Sequence, residues 1–146
     1  MVKQHRVYVD LFNQFFTFDS KYRMSDFHLF MTSVCVDIIQ KSKIFQRLGG
    51  TVSITQIRDL NLDNRLPDIY TPYFDVEVET GLKYGYNDLI GRILSTKKMV
   101  IVVLPNDKVK QRYLNHVKVR QRHLKIVTLG EFQNAVYQTL KNVNRR

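Results

Sequence analysis

The chain has 146 residues, 44% of them hydrophobic, and a formal net charge of +10, which together predict a single folded domain over residues 1–146 with a sizeable core. Its one cysteine, Cys35, excludes an intrachain disulfide framework and suits a reducing, intracellular compartment. The first ten residues lack the apolar segment of a signal peptide, and no run approaches the roughly 18 apolar residues of a membrane span, so we expect no membrane partner.

The first part of the chain contains one ambiguous segment and one predicted helix. Residues 7–18 are aromatic-rich and fit either a strand or a helix. Ser25 is a candidate N-cap, and Gly49-Gly50 is expected to end the helix that follows. Between them, apolar side chains recur every three or four residues, as on the buried side of a helix: Phe27, Phe30, Met31, Val34, Ile38 and Phe45. Cys35 is assigned to the core, and His28 is interpreted as a packed or half-exposed surface residue.

A strand and an antiparallel hairpin are expected next. Thr51 to Thr55 alternates in polarity, as a strand does. The hairpin has arms at Leu66 to Tyr70 and at Tyr73 to Glu79, on either side of Thr71-Pro72. With the turn centred between Pro72 and Tyr73, residues whose numbers sum to about 145 face each other, so Asp68 is expected opposite Glu77.

The second arm of the hairpin carries three carboxylates on one face. Strand side chains alternate between the two faces, and here Phe74, Val76 and Val78 alternate with Asp75, Glu77 and Glu79. Like charges that face each other destabilise a sheet, so the arrangement needs a reason. It is either the solvated polar face of an edge strand, or a site for a divalent metal such as Mg²⁺, which activates water and stabilises charge on a phosphate.

Helices and strands alternate in the second half of the chain. The pattern predicts a short helix at 87–96, a strand buried on both faces at 99–104, a helix from Asn106 to about Arg120, and a strand at 124–129. A capping box at 128–131 begins the last helix, whose apolar face comprises Phe132, Ala135, Val136, Leu140 and Val143. Because such alternation implies parallel pairing, the expected fold class is α/β (α+β), a mixed central sheet with helices on both faces.

Charge is divided unevenly along the chain. Residues 1–82 carry nine basic and ten acidic residues, whereas residues 83–146 carry fourteen and three. An acidic centre beside a basic half fits an enzyme that acts on a polyanion, of which nucleic acid is the obvious example, although a basic, soluble surface without a partner gives the same counts. The candidate nucleic-acid contacts are Lys97, Lys98, Lys108, Lys110, Arg112, Lys118, Arg120 and Arg122.

The sequence has no motif for a zinc site or for a nucleotide cofactor. The four histidines show no HxxxH or HxH spacing, so a zinc site is not expected. The chain also has no GxGxxG and no GxxxxGK[ST], so binding of a nucleotide cofactor through a phosphate loop is not expected.

Pro67-Asp68, followed after a short gap by Glu77-Val78-Glu79, resembles the motif of the PD-(D/E)XK nucleases, the restriction-endonuclease-like superfamily. The resemblance implies a core made of a helix, a three-strand meander that carries the acids, a helix and a further strand. It also implies that Asp68 and Glu77 bind Mg²⁺ or Mn²⁺, and that the substrate is DNA or, less often, RNA. The small size, the absence of Trp and the many Tyr and Phe are similar to nuclease-like proteins of archaeal filamentous viruses, which would place the protein inside a host cell.

The chain departs from the family pattern at the third position, where the family usually has Lys and this chain has Glu79. That lysine would orient the attacking water or neutralise charge on the phosphate. Glu79 can instead bind the metal and serve as a general base, and Lys83 can reach back from the start of the next helix. The expected metal ligands are therefore Asp68, Glu77 and Glu79, and Lys83 joins them as a candidate catalytic residue.

Several function classes stay open. The first is a Mg²⁺- or Mn²⁺-dependent (endo)deoxyribonuclease, as a monomer or homodimer. The second is a non-catalytic nucleic-acid-binding module, viral or regulatory, on the same fold. Thr51 to Leu62 as half of a helix-turn-helix would indicate a regulator. The third is an interaction protein whose basic face binds an acidic partner protein.

Overall fold

The computed structural model describes residues 24–54, 67–80, 97–116 and 123–144. The helices are α1 (Met24–Gln40), α2 (Lys43–Leu48), α3 (Asp107–His116) and α4 (Leu129–Asn144). The strands are β1 (Ser53–Ile54), β2 (Ile69–Tyr70), β3 (Phe74–Val78), β4 (Met99–Leu104) and β5 (Leu124–Thr128). The predictions that lie outside the described residues are those on 7–18, on most of the helix-turn-helix candidate at 51–62, on the helix at 87–96, and on Lys83, Lys118, Arg120 and Arg122.

The five described strands form one mixed sheet in the order β1-β2-β3-β4-β5. β2 is antiparallel to both β1 and β3, as in a meander. β3, β4 and β5 are parallel to one another, so their carboxyl ends lie along one edge of the sheet. Parallel pairing is possible here because 20 residues separate the end of β3 from the start of β4 in the sequence, and the connection from β4 to β5 contains α3.

Helices α1, α2 and α4 cover one side of the sheet, which we call the first face. Phe74, Val76 and Val78 of β3 point to this face and are buried. They pack with the apolar stripes of the helices, including Phe27, Met31, Val34, Cys35 and Ile39 from α1 and Phe132, Ala135, Val136 and Leu140 from α4. The stripe predicted for the last helix is thus confirmed at four of its five positions, and Val143 is half-buried.

Helix α3 covers the opposite side of the sheet, which we call the second face. Val100, Val102 and Leu104 of β4 pack there against Tyr113, with Val109 beside them. The other β4 side chains, such as Ile101 and Val103, belong to the first-face core, so β4 is buried on both faces as its uninterrupted apolar run predicts. The expected fold class, a mixed sheet with helices on both faces, is confirmed.

The helix predicted to run from Ser25 to Gly49 is two helices, and that prediction was wrong. α1 begins at Met24 and ends at Gln40, and Ser42 then caps α2 by accepting a hydrogen bond from the backbone N–H of Phe45. The apolar spacing continues across this break, because Phe45 is buried in the same core as α1. Gly49 ends α2 with φ of 71°, a left-handed conformation that side chains disfavour, as its predicted role requires.

The predicted caps of α3 and α4 are confirmed. Asn106 Oδ1 accepts a hydrogen bond of 3.0 Å from the backbone N–H of Val109. Glu131 Oε1 accepts one of 2.9 Å from the backbone N–H of Thr128, as in a capping box. None of the described helices is long and apolar enough to cross a membrane.

Candidate active site

The hairpin register places Asp68 beside the acidic end of β3. Ile69 pairs with Val76 and Tyr70 with Asp75, so the numbers of facing residues sum to 145, as predicted. Asp68 directly precedes β2, and this register, if continued by one position, would set its backbone across from Glu77. The two halves of the Pro67-Asp68 and Glu77-Val78-Glu79 pattern therefore meet at one end of the hairpin.

Pro67 explains why the strand ladder stops at this point. The backbone N–H of Thr71 donates to the carbonyl oxygen of Phe74 at 3.1 Å, so these two residues form a hydrogen-bonded pair. In an antiparallel ladder, hydrogen-bonded pairs alternate with pairs that have no hydrogen bond. Continued along the hairpin, this alternation would make position 67 and Val78 a hydrogen-bonded pair. Proline has no N–H to donate. The N–H of Val78 instead donates to Asp68 Oδ2 at 2.8 Å, which joins the two halves of the pattern directly.

His28 of α1 completes the contacts of Asp68. Its Nε2 lies 3.2 Å from Asp68 Oδ1. Burial opposes protonation of the imidazole, but the hydrogen bond to Asp68 and the negative charges of Asp68 and Glu79 outweigh it, and the pKa of His28 lies above its ordinary value. His28 is half-buried, as predicted, and its contact with Asp68 is an addition that the sequence did not predict. Its position beside Phe27, at the edge of the apolar stripe, is the only hint in the sequence.

Glu77 is a buried carboxylate in the middle of the sheet, with 3% of its surface exposed. It faces Val102 of β4 and therefore points to the second face, opposite to its neighbours Val76 and Val78. Burying a carboxylate is costly unless it is paired, hydrogen-bonded or bound to a metal, so apolar packing does not account for a glutamate at this position. Glu79 follows β3 directly, and its backbone N–H donates to the carbonyl oxygen of Val103.

The third acid of the alternation, Asp75, belongs to a different cluster near the hairpin turn. Its Oδ1 lies 2.6 Å from Nζ of Lys98, which also donates to the carbonyl oxygen of Thr71 at 2.7 Å. A cation thus offsets part of the crowding of negative charge that the alternation predicts. Lys98 lies at the turn end of β3, four positions before Val102, which is the partner of Glu77, and its described contacts are within the protein.

Donors of the kind that bind Mg²⁺ or Mn²⁺ lie at this end of the hairpin, but they are not gathered around one point. Carboxylates suit a hard divalent cation in chemical type, whereas the imidazole of His28 does not. Among the residues that the structure describes, no group of three or more His, Cys, Asp or Glu side chains is close enough to hold a metal ion. Asp68 is directed to the N–H of Val78 and to His28 instead.

The predicted basic contacts divide into two groups on α3. Lys108 and Arg112 are exposed and lie four residues apart, on one side of the helix. Lys110 points elsewhere: its Nζ lies 2.9 Å from Glu131 Oε1 and connects α3 to the start of α4. That contact, with the N–H of Thr128, holds the pKa of Glu131 below its ordinary value. Lys97 is exposed just before β4.

No family model, curated protein or solved structure matches this chain. The site therefore has to be interpreted from its own geometry.

Proposed function

We propose that the chain is a divalent-metal-dependent nuclease that hydrolyses phosphodiester bonds of DNA, with its reaction centre at the end of the β2–β3 hairpin. The observation that carries the proposal is the hydrogen bond from the N–H of Val78 to Asp68 Oδ2. It joins the two halves of a short sequence pattern that resembles the acids of the PD-(D/E)XK nucleases. The second acid, Glu77, is a carboxylate buried in the middle of the sheet, where apolar residues are the usual choice.

The arrangement of the elements supports the proposal. The described elements run as a helical region, a three-strand meander and further parallel strands, which agrees with part of the order that the resemblance implies. The helix that it implies between the meander and the next strand falls outside the described residues. Glu79 lies at the carboxyl ends of the parallel strands, the edge at which ligands bind in many open α/β sheets. The first turn of α3, with the exposed Lys108, begins at the same edge. Glu79 and an exposed cation therefore belong to the same edge of the sheet.

The residues of the site have distinct roles in this proposal. In the described arrangement Asp68 is directed to His28 of α1 and Glu77 points to the second face, so the candidate ligands Asp68, Glu77 and Glu79 would have to move towards one another to hold Mg²⁺ or Mn²⁺. The metal, when bound, would lower the pKa of a water and stabilise charge on the phosphate. His28 is a positioning residue, because it holds Asp68 through Oδ1. Glu79 acts as the general base that takes a proton from the attacking water. Lys83 is the alternative for the role of the family lysine.

A cleavage assay with Mg²⁺, Mn²⁺ or EDTA tests the proposal on single-stranded and duplex DNA and on RNA. We expect Glu77→Gln to lower the metal-dependent rate about a thousandfold or more, because the lost stabilisation of the transition state is several kcal/mol. Asp37→Asn is a matched control, since Asp37 is a carboxylate of α1 that pairs with Lys41. Cleavage at the wild-type rate by Glu77→Gln would place the activity elsewhere.

A non-catalytic nucleic-acid-binding module is the second candidate function. The observation that favours it is that both oxygens of Asp68 accept contacts from the protein, one from Val78 and one from His28, as a purely structural carboxylate does. Under this alternative, the wild type binds nucleic acid and cuts none of the substrates under any of the metal conditions.

A further inference from the structure

Tyr70 is an exposed aromatic side chain on the second face of the hairpin. It is 48% exposed, and it faces Asp75 across the β2–β3 pair, so it lies on the same side of the sheet as Asp75 and Glu77. Glu77 is two residues beyond Asp75 along β3, a distance of about 7 Å. An exposed tyrosine therefore stands beside the proposed reaction centre.

A fixed cation lies against the ring of Tyr70. Nζ of Lys98 is 3.8 Å from the ring centroid, a distance at which cation and ring attract each other. Asp75 and the carbonyl oxygen of Thr71 hold the same ammonium group at 2.6 and 2.7 Å. Three contacts thus immobilise Lys98, and Lys98 in turn restrains the ring. A restrained ring loses little side-chain entropy when a planar ligand stacks on it.

We propose that Tyr70 is a stacking platform for a nucleobase next to the reacting phosphate, and that the substrate is single-stranded nucleic acid or a strand with an unstacked base. This inference rests on the proposed function of the site. Stacking on an aromatic side chain needs an open base face, which a single strand offers and an intact duplex does not. Because Tyr70 and Glu77 lie on the same side of the sheet, a base stacked on the ring would bring the adjacent phosphate to the face that carries Glu77.

Tyr137 provides a matched control within the chain. It is 47% exposed, almost the same as Tyr70, and Nζ of Lys141 lies 5.9 Å from its ring centroid. It belongs to α4, which covers the first face, and so lies away from Asp75 and Glu77. If any exposed tyrosine of this protein contributed equally to nucleic-acid binding, variants at positions 70 and 137 would show the same change.

The sequence contains no tryptophan, so Tyr70→Trp introduces a unique fluorophore at the proposed platform. The probe is a thymidine dodecamer added in EDTA, which prevents cleavage, and the controls are the same backbone with abasic sites and a blunt duplex. We expect the dodecamer to quench the emission of Tyr70→Trp, and the abasic strand to bind without quenching. The dodecamer should leave the emission of Tyr137→Trp unchanged.

Affinity gives a second measurement. Tyr70→Ala should weaken binding of the dodecamer about tenfold, in keeping with the loss of one stacked base, and leave binding of the blunt duplex unchanged. Tyr70→Phe keeps the ring and should bind as the wild type does. Equal quenching by the abasic strand, or equal loss of affinity for strand and duplex, would overturn the stacking proposal.

These results are independent of cleavage. Quenching of Tyr70→Trp in a protein that cuts nothing would support the platform and reject the nuclease proposal. Cleavage that depends on Glu77 without any quenching would support the nuclease and reject the platform.

Discussion

Pro67 and Asp68 are adjacent, but they act on the end of the hairpin in different ways. Pro67 cannot donate the hydrogen bond that would continue the ladder, so β2 separates from β3 at this position. Asp68 replaces the missing pairing with a side-chain contact to the N–H of Val78. The carbonyl group of Val78 is left facing His28, and it contributes to the raised pKa of that side chain. In this hairpin, the proline therefore ends the backbone pairing, and the aspartate that follows it places a carboxylate at the end of the strand.

The His28–Asp68 contact predicts a pH dependence of stability in the metal-free protein. The pKa of His28 is higher in the folded state than in the unfolded state, where it is about 6.5. Such a group stabilises the fold fully below the unfolded pKa, and the contribution is lost as pH rises through the folded pKa. We expect the free energy of unfolding, measured with urea in EDTA, to fall over this window.

The variant His28→Gln isolates this contribution, because glutamine can still donate to Asp68 but does not titrate. The difference in unfolding free energy between wild type and His28→Gln should be largest at acidic pH and should shrink as pH rises above 6.5. A difference that is constant from pH 5 to pH 9 would show that the charge on His28 does not stabilise the fold.

The sequence indicates which acids belong to the site but not what touches them. The spacing of Pro67-Asp68 and Glu77-Val78-Glu79 and the strict alternation along β3 are local features, and these identify the hairpin and its register. The contact of His28 with Asp68 joins residues 40 positions apart, and the packing of α1 on the sheet determines it. No periodicity in the sequence carries that information.

Among the elements, the β2–β3 hairpin depends on a turn that one side chain completes. The turn residues Pro72 and Tyr73 have no positive φ, whereas the turns that best match the twist of a two-residue hairpin require one. Thr71 compensates. Its Oγ1 accepts from the N–H groups of Tyr73 and Phe74 at 3.2 and 3.0 Å and donates to the carbonyl oxygen of Phe74 at 2.7 Å. The carbonyl oxygen of Thr71 is then available to Lys98.

Thr71→Val should therefore destabilise the fold by about 1–3 kcal/mol, because it leaves buried N–H groups without their acceptor. Thr139→Val is the matched control: that threonine is also buried, but its hydroxyl donates only to the carbonyl oxygen of Ala135, one turn back in α4. Urea unfolding of both variants measures the difference. A loss at position 71 no larger than the loss at position 139 would contradict the role given to Thr71.

The types of most elements are predictable from the sequence, and the break between α1 and α2 shows where prediction stops. A period of three to four residues indicates helix wherever the apolar side chains share one core. The period does not reveal a break between two helices when residues of both helices still pack in the same core, as Val34 of α1 and Phe45 of α2 do. Ser42 is the local signal for the break, since serine is a preferred N-cap, but serine is also common in turns and loops.

At the scale of the whole molecule, the sheet separates two environments. The first face is covered by three helices and is apolar from β2 to β4. The second face has an apolar core only under α3, and towards β2 it carries Asp75, Glu77 and Tyr70. The charge division that the sequence predicts along the chain thus becomes a division in space, with acids on the hairpin and exposed cations on α3.

This division leads to a prediction about salt. Each phosphate that a lysine neutralises contributes a slope of about −0.7 to the plot of log K against log salt for a single strand. Lys108 is exposed on the first turn of α3, whereas Lys110 is bound to Glu131. We expect Lys108→Gln to make the slope less negative by about 0.7, and Lys110→Gln, which removes the same charge from the same helix, to leave it unchanged.

Binding of a fluorescent oligonucleotide in EDTA, followed by anisotropy between low and moderate salt, gives both slopes. The comparison separates a contact from a general effect of net charge, because both variants reduce the charge of the protein by one. Arg112→Gln should behave as Lys108→Gln does, since Arg112 lies on the same side of α3. If the two lysine variants change the slope equally, α3 attracts nucleic acid only through its diffuse positive field, and the phosphate contacts lie on another part of the surface.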